Sequence, residues 1–482
     1  MRSNIRNLII VAVCIVVLGG AFLTLKLTGN DKAASSSASS TASIELVSKK
    51  SEDVVSMNVV NAKGSYTLIP VKAPVASKAS SSASSGASGP TYTVKELAGC
   101  AIDTSATESA VKNGFSLVAS KNLGTVSNLE EYGLKNPQAT VKVQFADGSS
   151  YDYKIGKTSA TDSSAYYMCG LNSDNVYIVS VDQGLLQGAS YFVSKTVLAI
   201  TNQSGDNNFS KITLSGANYP QPVTFSFYQT SMRISSPAVY AADSDKLSNL
   251  KSALASLTAS SVEAVNPDAA ALKKYGFESP TAVAEYSVNG GDYAITAGAK
   301  DGSSCYVMLK GVNVIYKVDS ASIDAWAQQN LFGLRSKAIL APDIKTVKAL
   351  TVAAGSSENV LNLTRAKNEK QSTQDTASYD YKVTGNGGKS LDYSKNYTNF
   401  FSKLTAVSIL QDASQKPSGT PAMTVKCQYF DDSKTDTVEF FQSGDRRYTA
   451  VLNGQVLGLV AQDDLDTVTG TIAALESGQA VS

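Results

Sequence analysis

Internal repetition constrains this chain more than any other feature. The stretch Glu131-Tyr132-Gly133-Leu134-Lys135-Asn136-Pro137 is matched by Lys274-Tyr275-Gly276-Phe277-Glu278-Ser279-Pro280. Each copy predicts a short helix that ends on a glycine, where a left-handed cap carries little steric penalty. A proline follows, which bars continuation of the helix and starts a strand. In the first copy Ser127 and Glu130 have capping-box spacing. Upstream, Leu117-Val118-Ala119-Ser120 is echoed by Leu257-Thr258-Ala259-Ser260 and by Leu404-Thr405-Ala406-Val407-Ser408. A third unit is therefore expected.

After each turn the hydrophobic period changes to two, the signature of a strand with one buried face. Val141, Val143 and Phe145 alternate with polar residues, turn at Asp147-Gly148 and return through Tyr151, Tyr153 and Ile155. The second copy runs Ala284, Tyr286, Val288, turns at Asn289-Gly290-Gly291, and returns through Tyr293 and Ile295. The third uses Met423, Val425, Cys427 and Tyr429, then Val438 and Phe440. A second hairpin follows each: Tyr166 to Cys169 with Val176 to Val179, Tyr306 to Leu309 with Val314 to Val318, and Tyr448 to Leu452 with Val456 to Val460 across Asn453-Gly454.

Each unit is expected to open with a hairpin-like pair and an amphipathic helix, clearest at Asp243 to Leu257, where Leu247, Leu250, Leu254 and Leu257 form one stripe. It is expected to close with a short helix, as at Ser320 to Asn330 and Asp463 to Glu476. The first two units then share Ser194-Lys195-Thr196-Val197-Leu198 and Ser336-Lys337-Ala338-Ile339-Leu340. A helix laid on an antiparallel meander buries both apolar faces, so the fold class is α+β: three tandem units of antiparallel β-meander plus packing helices.

These units stand behind one N-terminal transmembrane helix. Residues Leu8 to Leu25 carry no charge and, at ~1.5 Å rise per residue, nearly span a ~30 Å hydrocarbon core. Arg2 and Arg6 precede the run, which places the N-terminus in the cytoplasm and the body outside. The run is longer than the ~7 to 15 apolar residues of a cleaved signal peptide. The expected divisions are residues 1–28 as cytoplasmic tip and anchor, 29–43 as a Ser/Ala-rich stalk, 44–200, 201–341 and a divergent 342–482. A low-complexity loop at 73–91 is inserted in the first unit.

The chemistry open to this chain is bounded mostly by elimination. There is no histidine in 482 residues, which removes Ser-His-Asp and Cys-His catalysis and imidazole metal sites together. Lys and Arg number 42 against 41 Asp and Glu, for a net charge of +1, so no electrostatic footprint for nucleic acid is present. Five cysteines, at 14, 100, 169, 305 and 427, are too sparse for a disulfide framework and read as small buried hydrophobes, Cys14 within the membrane span.

Gly156-Lys157-Thr158 resembles the end of a phosphate loop but lacks the first glycine, and a β-turn after Ile155 explains it. Ser173-Asp174-Asn175 and the Ser248/Lys251 pair match elements of penicillin-recognising enzymes in reversed order, and turn propensity explains the first. Asp431, Asp432 and Asp436 read as a hairpin tip. Asp463, Asp464 and Asp466 read as the acidic first turn of a helix. Neither set follows a calcium loop. The 23 tyrosines read as half-buried sheet positions, and Trp326, the single tryptophan, as the anchor of a closing helix. No catalytic, cofactor-binding or metal-binding residue and no cofactor is therefore expected.

The Tyr-Gly-[Leu/Phe]-x-x-Pro turn, the Tyr166-Tyr167 and Val176-Tyr177 strand ends and the Ser-Lys-x-[Val/Ile]-Leu segment together resemble the bacterial domain-of-unknown-function 4340 (DUF4340) family in tandem copies. The likeness covers most of residues 44–340 and, more weakly, 345–476, where Gln411 to Pro421 replaces the Tyr-Gly motif. The resemblance implies an N-terminal membrane helix and a neighbourhood of ABC transporter components of the gliding-motility type. The expectation is a non-catalytic, single-pass membrane accessory or scaffold protein of the cell envelope. Its partners would be the lipid bilayer, through residues 8–25, and ABC permease and auxiliary subunits. A cell-wall or glycan-binding module on a stalk is the alternative, and an enzyme built on paired carboxylates a third reading.

Overall fold

The computed structural model describes residues 43–71, 90–202, 207–229, 231–372, 377–431 and 434–481. The expected anchor at Leu8 to Leu25, the stalk up to residue 42 and the inserted loop from 73 to 89 lie outside them. Among the described residues no helix is long and apolar enough to cross a membrane. The chain is β-rich, with three large antiparallel sheets of nine, eight and eight strands, one two-stranded sheet and, among the described residues, seven α-helices.

An order of seven strands recurs in all three large sheets, and the first sheet adds Ile44–Ser48 at its edge. In the first, a meander of Val54–Asn61, Gly64–Pro70 and Tyr92–Val94 is followed by the helix Thr104–Phe115 and the strand Ser116–Thr125. The chain then returns to pair Ala139–Phe145 with the first strand of the meander, Val59 opposite Val141 and Met57 opposite Val143, all four buried. Ser150–Thr158, Tyr166–Gly170 and Ser173–Val179 extend the sheet outward until the last pairs with Ser116–Thr125. The second sheet repeats this with Phe209–Gly216, Tyr219–Tyr228 and Ser231–Ser236, the helix Ser244–Ala255, the edge strand Ser261–Val265, and a second meander from Ala282–Val288 to Val314–Asp319. The third uses Val347–Ala354, Ser357–Lys367 and Tyr379–Thr384, the helix Thr398–Ala406, and Met423–Tyr429 to Gln455–Ala461.

Alternation explains why one face of each sheet takes the helix. Ala282, Ala284, Tyr286 and Val288 point into the core while Glu285 is exposed. Leu250 and Leu254 of the helix Ser244–Ala255 are 0% exposed, each burial stabilising by ~1.5–3 kcal/mol. Sheet tyrosines then satisfy the carbonyls orphaned at the helix C-terminus. The Tyr286 hydroxyl donates to the Leu254 carbonyl at 2.8 Å. Tyr153 donates to Asn113 at 3.2 Å and Tyr151 to Gly114. Burial raises the hydroxyl pKa of all three tyrosines.

The structure corrects several local expectations. The helix at 244 ends at Ala255, and Leu257 reaches the core from the strand Ser256–Thr258 instead. The Ser127 capping box does not form, because residues 129–133 make turns and Asn128, not Ser127, accepts from the Glu130 amide. In the second copy a short helix, Ala269–Lys274, does form, capped by Asp268. The expected closing helix at 320–330 is broken into Ser320–Ser322, Asp324–Ala327 and Leu331–Leu334, whereas Gln462–Ser477 is continuous.

The Tyr-Gly turn itself has a packing reason. Gly133 (φ +70) and Gly276 (φ +82) are left-handed, and a Cβ would lie 2.8 Å from the Lys157 amide nitrogen or 2.5 Å from that of Ala299. The tyrosine carbonyls accept from those same amides, Lys157 to Tyr132 at 3.0 Å and Ala299 to Tyr275 at 2.8 Å.

Two compact units divide the chain. Of the described residues, one contains those up to Lys95 and Thr104–Gly188, the other Glu96–Asp103 and those from Ala189 onward. Within the second, the Ser-Lys segments act as straps. The Ser194 and Ser336 amides donate to the Ala101 and Ala241 carbonyls, both at 2.8 Å. On its other side the first strap pairs Leu198 with Leu257, and the second bridges Ala338 to Ser408. The second copy of the Leu-Thr-Ala repeat thus receives the first strap at Leu257, whereas in the third copy Leu404 to Ala406 ends the helix Thr398–Ala406 and the strap is received just beyond it, at Ser408 and Ile409.

Candidate functional site

Of the residues singled out in the sequence, Asp431 and Asp436 line one pocket with Arg365, Tyr429 and Lys434. Gly156-Lys157-Thr158 lies inside the strand Ser150–Thr158, at a bulge between Ile155 and Thr158, not in a turn. Lys157 is exposed, and its amide is used by Tyr132. Ser173-Asp174-Asn175 begins a strand, and the preceding turn is made by Leu171 (φ 63) and Asn172 (φ 56). Ser248 is exposed on the helix Ser244–Ala255, in the other compact unit from Ser173.

The acidic groups are likewise engaged locally. Asp436 sits within a strand rather than at a tip, accepting from Tyr429 at 2.6 Å and Asn453 at 2.8 Å. Asp431 lies 3.7 Å from Lys434, and Asp432 falls outside the described residues. Asp463 and Asp464 occupy the first turn of Gln462–Ser477, and Asp463 takes both its contacts from Arg446 at 2.7 Å. Among the described residues no three acidic or cysteine side chains converge as a metal site would require. Cys305 and Cys427 are buried and burial pushes the Cys427 thiol up to about 12, whereas Cys100 and Cys169 are only half-buried. Trp326 is fully buried in Asp324–Ala327.

The strongest polar constellation lies where the second strap meets the third sheet, and sequence reading missed it. Arg335 is 1% exposed. Its Nη2 donates to Asp412 Oδ1 at 2.9 Å and to the Leu457 carbonyl at 2.5 Å, while Nε and Nη1 have no partner. The guanidinium stacks 4.6 Å from the Tyr240 ring and 5.1 Å from that of Phe332. Lys337 Nζ stands 3.4 Å from the Phe332 centroid, and burial, reinforced by Arg335, holds its ammonium down to about 8.

Asp412 is presented by the Gln411–Pro421 stretch that replaces the Tyr-Gly motif. Leu410 and Gln411 dock on Leu459 of the last sheet strand, filling the edge position that Ser261–Val265 holds in the second sheet. A signal for Arg335 did exist. It occupies the place of Val193, which is buried and bridges Ile102 as Arg335 bridges Ala242, so an arginine stands where the other copy has valine. Chemically the cluster fixes one carboxylate beside an aromatic face.

Residues 92–225 and 233–421, about two thirds of the chain, match the family described as Domain of unknown function (DUF4340). The chain belongs to the DUF4340 family. The two matched stretches make it a tandem DUF4340 protein, and they include both Tyr-Gly turns, both straps and the Arg335–Asp412 pair. No curated protein and no solved structure matches it.

Proposed function

We propose that this DUF4340 protein is a non-catalytic, membrane-anchored accessory or scaffold protein of the bacterial cell envelope, serving as an auxiliary subunit of an ABC transporter of the gliding-motility type. Three sheets of one topology follow the apolar stretch Leu8 to Leu25 and a Ser/Ala-rich segment, so the anchor leaves a single-pass protein with its N-terminus cytoplasmic and its body outside. The observation that carries the reading is the pairing of that tether with a body in which the Arg335–Asp412, Tyr429–Asp436 and Arg446–Asp463 contacts hold strands, turns and straps together. The absence of histidine from the whole chain supports it.

The test is crosslinking in native membranes followed by detergent purification of the full chain. Permease subunits should co-purify specifically and be lost when residues 1–28 are exchanged for an unrelated single-span anchor. If no transporter component is captured from membranes where both are expressed, the proposal falls.

A further inference from the structure

A cleft of about 620 Å³ opens beside the Arg335–Asp412 pair, within the ~300–1,000 Å³ of small-molecule sites. Its polar lining is unusual in kind. Asn218, Gln221, Asn330, Gln411 and Asp412 all face it, and no lysine or arginine does. Two of these are already oriented by the fold. Asn218 Nδ2 donates to the Ala327 carbonyl at 2.6 Å, and Asn330 Oδ1 accepts from the Gly333 amide at 2.8 Å, each leaving its other amide atom for a ligand. Asp412 Oδ1 is held by Arg335, which leaves Oδ2 directed elsewhere. Between these groups lie the apolar surfaces of Pro220, Phe332 and Leu410, the last 48% exposed.

The chemistry selects a ligand class. A phosphate or carboxylate ligand would find no cation in the lining. A cationic ligand would find the single carboxylate already compensated by a buried guanidinium. Side-chain amides donate and accept at once, which matches hydroxyl groups that do the same, and apolar strips match the C–H faces of a pyranose ring. We infer that this cleft binds a neutral oligosaccharide, with Gln221, Gln411 and Asp412 taking ring hydroxyls and Phe332 and Leu410 meeting a sugar face. Arg335 is a positioning residue, since it acts through Asp412. This goes beyond the accessory role and does not depend on it.

The chain carries its own reporter. Trp326 is the single tryptophan, and Asn218 and Tyr219 of the cleft hydrogen-bond the carbonyls of Ala327 and Trp326. The full chain in mild detergent is titrated with chitotriose, cellotriose and maltotriose while Trp326 fluorescence and saturation transfer to the sugar protons are followed. At least one trisaccharide should bind saturably at millimolar concentration or below, and the preferred arm separates an N-acetylated glycan source from a plain hexose one. The exposed double substitution Gln221→Ala/Gln411→Ala should weaken that binding at least tenfold with the circular dichroism spectrum unchanged. No saturable transfer from any of the three sugars overturns the inference, as does binding that the folded double variant leaves undiminished.

Discussion

At residue scale, two glycines with nearly the same backbone angle separate conformational strain from crowding. A Cβ added to Gly276 (φ +82) would lie 2.5 Å from the Ala299 backbone nitrogen, whereas one added to Gly290 (φ +80) would face open space. Gly290→Ala should therefore cost only the left-handed penalty of ~1–2 kcal/mol, and Gly276→Ala about 3 kcal/mol or more, since the turn must also move off the strand. Urea unfolding of the two variants side by side gives the comparison.

Lys337 supplies a pH signature at the same scale. Its ammonium is held down to about 8 against an ordinary 10.5. Below pH 8 both folded and unfolded chains carry the proton, and the cost of the buried charge is felt in full. Between about pH 8 and 10.5 the unfolded chain binds more protons, so this group's contribution to stability rises with pH. Lys337→Met should stabilise the protein at pH 7, and the gain should shrink as pH climbs through that window. A gain that stays constant from pH 7 to 10.5 would count against the assignment.

At the scale of elements, the helix–sheet contact rests on a few apolar side chains and on tyrosine hydroxyls at the helix end. Leu254→Ala should cost ~2–5 kcal/mol as a buried truncation. Tyr286→Phe should cost ~1–2 kcal/mol by leaving the Leu254 carbonyl without its donor. Ser248→Ala, on the exposed face, should stay within ~0.5 kcal/mol of the parent. Thermal and urea unfolding rank the three.

Strand pairing was legible because period-two burial and Asn-Gly or Asp-Gly turns are local signals. Met423, Val425 and Cys427 are buried as their alternation requires, and Asn289 and Asn453 take the positive φ of hairpin turns. Helix ends were less legible. The Leu247–Leu257 stripe continues past Ala255 because a strand residue two positions on also faces the core, so periodicity alone cannot mark the boundary. The capping-box reading failed at Ser127 because Asn128 competes for the same amide with a shorter side-chain loop.

At the scale of the whole molecule, the second and third sheets are joined by Arg335 and the strap Ser336 to Leu340, and there the sequence was least informative. Arg335 and Asp412 are 77 residues apart, and nothing in either neighbourhood announces the other. Their pairing predicts an ordering that surface charge alone would not give. Asp412 is 57% exposed, yet its partner is 1% exposed and already has two unpartnered nitrogens. Removing the carboxylate leaves a buried guanidinium without a counter-charge, so Asp412→Ala should destabilise the protein by ~2 kcal/mol, discounted from a fully buried pair for Asp412's exposure. Arg335→Leu/Asp412→Ala removes the charge with its partner and keeps apolar bulk between Tyr240 and Phe332. The double variant should therefore be more stable than Asp412→Ala alone, with only the Leu457 carbonyl left unsatisfied. A double-mutant cycle completed with Arg335→Leu, followed by urea unfolding, measures the coupling directly. If the double variant is no more stable than Asp412→Ala, the guanidinium is reaching solvent or another acceptor, and the strap is held by its backbone pairs alone.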